Sequence, residues 1–432
     1  MQKIKQFIKK EPVLCCAVLL AILSAFWVHP DSEYIGYIDF HTLAILFCLM
    51  CVMAGLQKLG LFRWIAQRLL NRMHKTSQVV LLLVMLCFFF SMLITNDVAL
   101  ITFVPFTFTV GALLGPETYR RMAFPVVVLQ TIAANLGSML TPVGNPQNLY
   151  LYGISGMGTG EFMGVMLPYS LLSLALLAGC CAVLGRNLAG NNEGGRNGKG
   201  NNVVSGSGKD DSDKVSGRGK DGDNKGVTGS SNGSGSNMPT EEDSVGFAET
   251  AGQKVSVAVY LILFVLCLLT VARLVPLWVS FAAVVAGVCI IDWKVLARVD
   301  YCLLLTFVGF FIFIGNMGRI PAFAGLLQKL VAGNEVWVSI LASQCISNVP
   351  AALLLSGFTD NVRGLLVGVN LGGLGTLIAS MASLISYKYI AVEAEKKDLP
   401  GGKGRYFKYF TLANLCFLAA LVILYVLVGR GM

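Results

Sequence analysis

Thr141-Pro142-Val143-Gly144-Asn145-Pro146-Gln147-Asn148 interrupts an otherwise apolar stretch running over 122–158. Such closely spaced prolines and glycine cannot continue a regular helix. Proline lacks the N–H that the ladder needs and collides with the preceding turn, and glycine loses too much backbone freedom. A helix broken inside apolar sequence decides the fold, because an unpaired amide or carbonyl in lipid costs several kcal/mol. Such a break survives only where protein or a water-filled cavity satisfies it.

The surrounding sequence is a membrane sequence. Of its 432 residues, 55% are hydrophobic and 13% charged, where a soluble domain carries about 25% charged residues. The mean hydropathy is +0.69, and the apolar residues fall in blocks long enough to cross a bilayer core of ~30 Å. Lys3, Lys5, Lys9 and Lys10 precede an apolar run at 12–29 without a small-x-small cleavage site. This predicts a retained first helix with a cytoplasmic N-terminus.

A second helix is expected at 39–56, then a basic amphipathic stretch at 57–76 lying at the cytoplasmic interface. Residues 77–114 carry the polar interruption Thr95-Asn96-Asp97. They form one long crossing or a re-entrant hairpin, and the basic Arg120 and Arg121 that follow favour the hairpin. Another crossing is expected at 162–185. Residues 190–253 are rich in Gly, Ser, Asn, Asp and Lys, too polar to bury a core, and read as a flexible cytoplasmic linker. Helices follow at 255–275, 277–293 and 301–319. A second hairpin at 336–358 is tipped by Ser347-Asn348-Val349-Pro350, and a second broken helix at 364–390 is interrupted by Gly372-Gly373-Leu374-Gly375-Thr376. After Lys396, Lys397, Lys403, Arg405 and Lys408, a last helix is expected at 409–429. The chain thus divides into a first membrane repeat at 1–189, the linker at 190–253, a connecting helix at 254–276 and a second repeat at 277–432.

Other function classes fare poorly. The net charge of +9 sits between apolar blocks, as membrane orientation requires, and not in a basic domain that would bind nucleic acid. The 12 cysteines make no CxxC pair near a histidine, so they read as small packing residues. An enzyme would need an acid–base cluster or a nucleophile–base pair, and none is visible. Paired broken helices argue for alternating access over a channel.

The two halves repeat. Ile38-Asp39-Phe40 matches Val299-Asp300-Tyr301, 261 positions later, and Phe62 matches Phe323 in the same register. Asn96 matches Asn348 at an offset of 252, and Asn135-Leu136-Gly137 with Thr141 matches Asn370-Leu371-Gly372 with Thr376 at an offset of 235. Four crossings and one hairpin per half, joined by a single helix, require the second half to run inverted. The expected fold is therefore an all-α polytopic membrane protein: an inverted-repeat transporter with two re-entrant hairpins and two discontinuous helices.

Half-helix N-termini suit anions, and half-helix C-termini with unwound carbonyls suit a cation such as Na⁺. Candidate substrate and ion ligands are accordingly Thr95, Asn96, Asp97, Thr141, Gly144, Asn145, Asn148, Ser347, Asn348, Thr376 and Ser380, with Na⁺ at Asn96 and Asn348. Asn135 and Asn370 divide evenly between this site and simple helix packing. Asp97 is the carboxylate placed deepest in an apolar stretch and is the coupling candidate, able to carry a proton. Asp39 and Asp300 begin helices and read as structural caps; Arg319, at a helix end, reads as snorkelling to the interface.

The motifs Thr95-Asn96-Asp97-Val98-Ala99-Leu100, Thr141 to Asn148, Phe307-Val308-Gly309-Phe310-Phe311-Ile312-Phe313-Ile314-Gly315-Asn316, Ser347-Asn348-Val349-Pro350 and Asn370-Leu371-Gly372-Gly373 resemble the ion transporter superfamily. Its members include divalent anion–sodium symporters, citrate transporter-like permeases and arsenite permeases. The resemblance implies hairpins opening to opposite sides with a site at their tips, an elevator motion, and often a homodimer. Dicarboxylate members carry Ser-Asn-Thr at each tip, where Asp97 and Val349 here replace the threonines. The implied function is a secondary active permease for a small anion such as a di- or tricarboxylate, coupled to Na⁺ or H⁺, with no cofactor beyond a coupling ion. Arsenite efflux or Na⁺/H⁺ antiport on the same fold is the alternative, and Asp97 favours it.

Overall fold

A computed structural model of the protein describes residues 11–73, 75–193, 251–397 and 401–428, all helix and loop. The N-terminal lysines and nearly all of the 190–253 linker lie outside the described residues. The first half comprises α1 (Pro12–Ala25), α2 (Glu33–Tyr37), α3 (Phe40–Lys58), α4 (Leu61–Leu70), α5 (Thr76–Ile94), α6 (Asn96–Leu113), α7 (Pro116–Ser138), α8 (Pro146–Ser155) and α9 (Thr159–Glu193). Helix α10 (Ala251–Val271) connects to α11 (Leu277–Asp292), α12 (Tyr301–Gly318), α13 (Pro321–Val331), α14 (Glu335–Ile346), α15 (Asn348–Ser356), α16 (Val362–Gly372), α17 (Met381–Lys396) and α18 (Gly402–Val428). Among the described residues 8 helices are long and apolar enough to cross a membrane, and the protein is a multi-pass membrane protein.

Some boundaries differ from expectation. The first helix stops at Ala25, short of residue 29, where the chain turns before Pro30. The last begins at Gly402, because Lys and Arg are good helix formers and the basic stretch joins the helix. The basic segment 57–76 contains α4, which buries Leu61, Phe62 and Ala66 on one face. Arg319 does more than snorkel: its guanidinium binds Asp31 at 2.6 Å and the Tyr37 hydroxyl at 3.0 Å. That hydrogen bond holds the Asp31 carboxyl below the usual carboxylate range.

Positions matched between the two halves of the sequence make similar contacts. Asp39 accepts the Thr42 N–H at 3.0 Å, and Asp300 accepts the Leu303 N–H at 2.9 Å. Both cap their helices three residues on, with φ/ψ of −77°/83° and −79°/81°. This is the N-cap geometry that satisfies a free amide of the first turn. The hairpin formed by α5 and α6 bends at Thr95, and the one formed by α14 and α15 bends at Ser347. Their φ values are +66° and +75°, a left-handed region that side-chain-bearing residues rarely occupy.

Helix α7 is the centre of the packing. Every residue from Val126 to Ser138 is buried, and α5, α6, α9, α17 and α18 surround it. A helix buried on all sides must have its polar residues paired inside the protein. Gln130 meets this need by donating to the Leu83 and Phe103 carbonyls at 3.3 and 3.4 Å and accepting from Thr107 at 2.8 Å, so it staples both arms of the first hairpin to α7.

Hairpin and broken helix touch through glycine in each half. A Cβ at Gly137 would overlap the Phe88 carbonyl oxygen and lie 2.6 Å from Ser91 Oγ. At Gly372 it would lie 2.6 Å from Ser343 Oγ and 3.1 Å from Ile340 Cα. Ser343 and Ile340 stand 252 positions after Ser91 and Phe88, and Gly372 stands 235 after Gly137, so the two contacts are the same contact in each repeat. We therefore expect Gly137→Ala and Gly372→Ala each to destabilise the folded protein by about 1–3 kcal/mol through overpacking. Gly164→Ala, whose Cβ meets nothing within 4 Å, should be neutral or slightly stabilising. Melting of the detergent-solubilised variants, followed by tryptophan fluorescence, checks the contrast.

Candidate functional site

Four helix ends meet four helix starts in the interior. Helices α5, α14, α7 and α16 end at Ile94, Ile346, Ser138 and Gly372, and α6, α15, α8 and α17 begin at Asn96, Asn348, Pro146 and Met381. Each end leaves carbonyls without a helical partner and each start leaves amides. The side chains around the breaks supply what the helices lack.

Asn135, on α7, is the hub. Its Oδ1 accepts from Asn96 Nδ2 at 3.1 Å and from Ser380 Oγ at 2.9 Å, and its Nδ2 donates to the Gly373 carbonyl at 3.4 Å. One amide thus joins the first hairpin tip, the start of α17 and the unwound segment after α16. Gly373 also abuts the second tip: a Cβ there would lie 3.0 Å from Asn348 Nδ2. The Asn348 N–H donates to the Ala379 carbonyl at 3.0 Å, and Ser347 Oγ donates to the same carbonyl at 3.4 Å. The two tips therefore converge on one polar cluster.

Asn148 and Asn370 tie the halves a second time. Asn370 Nδ2 donates to Asn148 Oδ1 at 2.8 Å. Asn148 Nδ2 faces the carbonyls of Ser138, Met139 and Thr141 at 3.2, 3.4 and 3.2 Å, so it holds the unwound segment between α7 and α8. Thr141 accepts the Gly144 N–H at 3.1 Å and donates to the Met92 carbonyl, just before the first tip. Thr376 donates to the Gln344 carbonyl at 3.3 Å, just before the second. Gln344 lies 252 positions after Met92, so this bond too is repeated.

The candidate residues therefore separate by what their polar atoms are doing. Asn96, Asn148, Ser347, Asn348 and Ser380 are buried within the cluster. Thr141 uses its hydroxyl structurally, and Thr376 is exposed, its N–H held by Gln344 Oε1 at 2.9 Å. Gly144 is required sterically, since a Cβ would overlap the Ser138 carbonyl. Thr95 contributes the tip bend. Residues at or next to the breaks carry buried polar atoms without a protein partner: Asp97 Oδ1, Asn145 Oδ1, Asn370 Oδ1, Ser383 Oγ and Gln147 Nε2. An unsatisfied buried polar atom costs about 1–3 kcal/mol, so each of these atoms has capacity for a further polar partner. Asp97 is half-buried at the first turn of α6, and its N–H is held by Asn96 Oδ1 at 2.9 Å.

Asn135, Asn370 and Gln344 carry more of this geometry than their sequence suggests. The signal available was their isolation as amides in apolar helices that must pair internally. Gln344 aligns with the apolar Met92, so no polar counterpart in the first half marks it.

A family model described as "Citrate transporter" matches residues 7–363. The chain is similar to inner membrane protein YbiR of Escherichia coli, at 27% identity over 85% of this chain and 84% of that protein. It is similar to the uncharacterized transporter MJ0456 of Methanocaldococcus jannaschii, at 26% identity over 94% and 93%. A shorter match, 28% identical over 37% of this chain and 31% of the other, is to the silicon efflux transporter LSI3 of Oryza sativa subsp. japonica. A family match over most of the length, on a fold of apolar helices broken around one polar cluster, makes this chain a membrane transporter and not an enzyme, and it belongs to the citrate transporter family.

Proposed function

We propose that the protein is a secondary active permease that moves a small anion, of the di- or tricarboxylate class, coupled to Na⁺ or H⁺. The observation that carries this reading is the convergence of both hairpin tips, bent alike at Thr95 and Ser347, on one polar cluster, the first through Asn135 and the second through Ala379 and Gly373. Helices α6, α8, α15 and α17 all begin there, and helix starts favour negative charge. The neutral oxygens of Asn96 and Asn348, with the carbonyls at the ends of α5 and α14, suit Na⁺.

The arms of the second hairpin have 12 and 9 residues, about 18 and 14 Å at 1.5 Å per residue. Neither spans a ~30 Å core, which supports a hairpin that enters and leaves on one side. The arms of the first, 19 and 18 residues, pack against each other, and basic residues flank both outer ends. With the matched contacts of the two halves, the short arms of the second hairpin support an inverted repeat whose hairpins open to opposite sides. We place the N-terminus and the 190–253 linker in the cytoplasm on the same charge argument, and a homodimer is the assembly that the superfamily resemblance favours.

Efflux with proton exchange is the second reading. It is favoured by Asp97, whose buried Oδ1 has no protein partner and whose counterpart at the second tip is Val349, and by the likeness to the rice silicon efflux transporter.

Uptake of radiolabelled citrate and succinate into proteoliposomes, with Na⁺ and pH gradients imposed separately, tests the proposal. At least one anion should accumulate against its gradient; uptake indifferent to both gradients overturns ion coupling. If Asp97 carries the proton, Asp97→Asn should abolish the response to a pH gradient while leaving any Na⁺ response in place, and unchanged pH-driven transport would remove Asp97 from that role. Asn135→Ala strips the acceptor from both Asn96 and Ser380. It should lower stability by about 1–3 kcal/mol, read by thermal unfolding, and weaken substrate-induced stabilisation at the same time.

A further inference from the structure

A groove of about 720 Å³ opens between α7, α9 and α18, well away from the Asn135 hub. Its walls are apolar, built from side chains such as Pro125, Leu176, Val183 and Leu184. It has room along α9, because a Cβ at Gly179 would meet nothing within 4 Å. One end is polar: Arg121, Asn187 and Tyr409 line it. Arg121 lies near the start of α7, Asn187 near the end of α9 and Tyr409 in the first turns of α18, so three helix termini gather at this mouth.

The neighbouring positions are basic. Arg120, Arg186, Arg405 and Lys408 are exposed, each on a terminal stretch that contributes to the groove, and the Arg405 guanidinium lies 5.6 Å from the centre of the Tyr409 ring. Against these stands Glu117, which pairs with Arg121 at 2.8 Å. That pair is exposed on both sides and one turn apart, the kind of ion pair that is weak in water and open to exchange. Arginine forks suit the geometry of a phosphate oxygen pair.

We propose that this groove binds an anionic phospholipid of the surrounding membrane, with an acyl chain along Gly179 and Val183 and the headgroup phosphate held at Arg121. Apolar walls closed at one end by positive charge match that amphiphile and no part of a small soluble anion. A volume within the range of about 300–1,000 Å³ typical of ligand pockets accommodates a chain. Basic pockets between membrane helices recognise anionic headgroups by the same electrostatics. Clustered like charge at the mouth opposes a second copy of this chain, since a two-fold interface would bring the same basic residues together.

The test is native mass spectrometry of the full-length protein in detergent, exchanged against equal amounts of phosphatidylglycerol and phosphatidylcholine. The wild type should retain phosphatidylglycerol at least tenfold over phosphatidylcholine. Arg121→Gln should reduce that preference about fivefold while still retaining lipid. Gly179→Phe, which fills open space, should lose both lipids; Gly179→Leu serves if the phenylalanine variant misfolds, with folding judged by elution and melting like the wild type. Equal retention of the two lipids by the wild type overturns the proposal, as does lipid retention unchanged by filling the groove. Loss of a dimer mass in Gly179→Phe with lipid binding unchanged would also overturn it, in favour of an interface between copies.

Discussion

Helix ends buried inside a membrane protein impose the constraint on which the rest of this structure depends. Lipid offers nothing to a carbonyl or amide left over where a helix stops, so the protein must. Here the leftover groups are met by amide side chains. Asn135 joins three segments at once, and Asn148 donates across three carbonyls of one unwound loop. Shared pairing of this kind favours one arrangement, because any displacement leaves several groups unpaired together. The atoms that remain unpaired, among them Asp97 Oδ1 and Asn145 Oδ1, are where the network is open to something other than protein.

Close approach makes this pairing geometrically feasible. Hairpin and broken helix can exchange hydrogen bonds only if their backbones come together, and Gly137 and Gly372 allow that in each half. Small residues at helix interfaces do the same work generally in membranes, where packing and polar contacts replace the hydrophobic drive between helices. The tip residues Thr95 and Ser347 hold a backbone conformation costing of order 1–3 kcal/mol each. Its recurrence at equivalent places marks it as part of the shared geometry of the two tips.

The halves agree in backbone and differ in chemistry. Asn145 and Asn148 in the first break correspond to Ser380 and Ser383 in the second, and Asp97 corresponds to Val349. The first tip consequently carries a carboxyl where the second carries a methyl-bearing side chain. The two tips thus share one backbone geometry and differ in charge.

Apolar blocks, polar tip residues and the positions of proline and glycine were enough, read from sequence, to place the long helices and all four breaks, while the short α2 and α13 were not foreseen. Those features act locally, through backbone strain and missing hydrogen bonds within a few residues. The register of the repeat was legible as well, because offsets of 261, 252 and 235 survive in Asp39/Asp300, Asn96/Asn348 and Asn135/Asn370. What sequence left undivided was the work of each polar residue. Asn135 and Ser380 are 245 positions apart, and Arg319 and Asp31 are 288 apart; no local signal distinguishes an amide at a hub from one that packs, or a snorkelling arginine from a paired one. Thr141 and Gly144 illustrate the same limit, since both lie in the break and one spends its hydroxyl on the Met92 carbonyl while the other is there for lack of a Cβ. Only tertiary structure assigns those roles, because they depend on which distant backbone group arrives within about 3 Å.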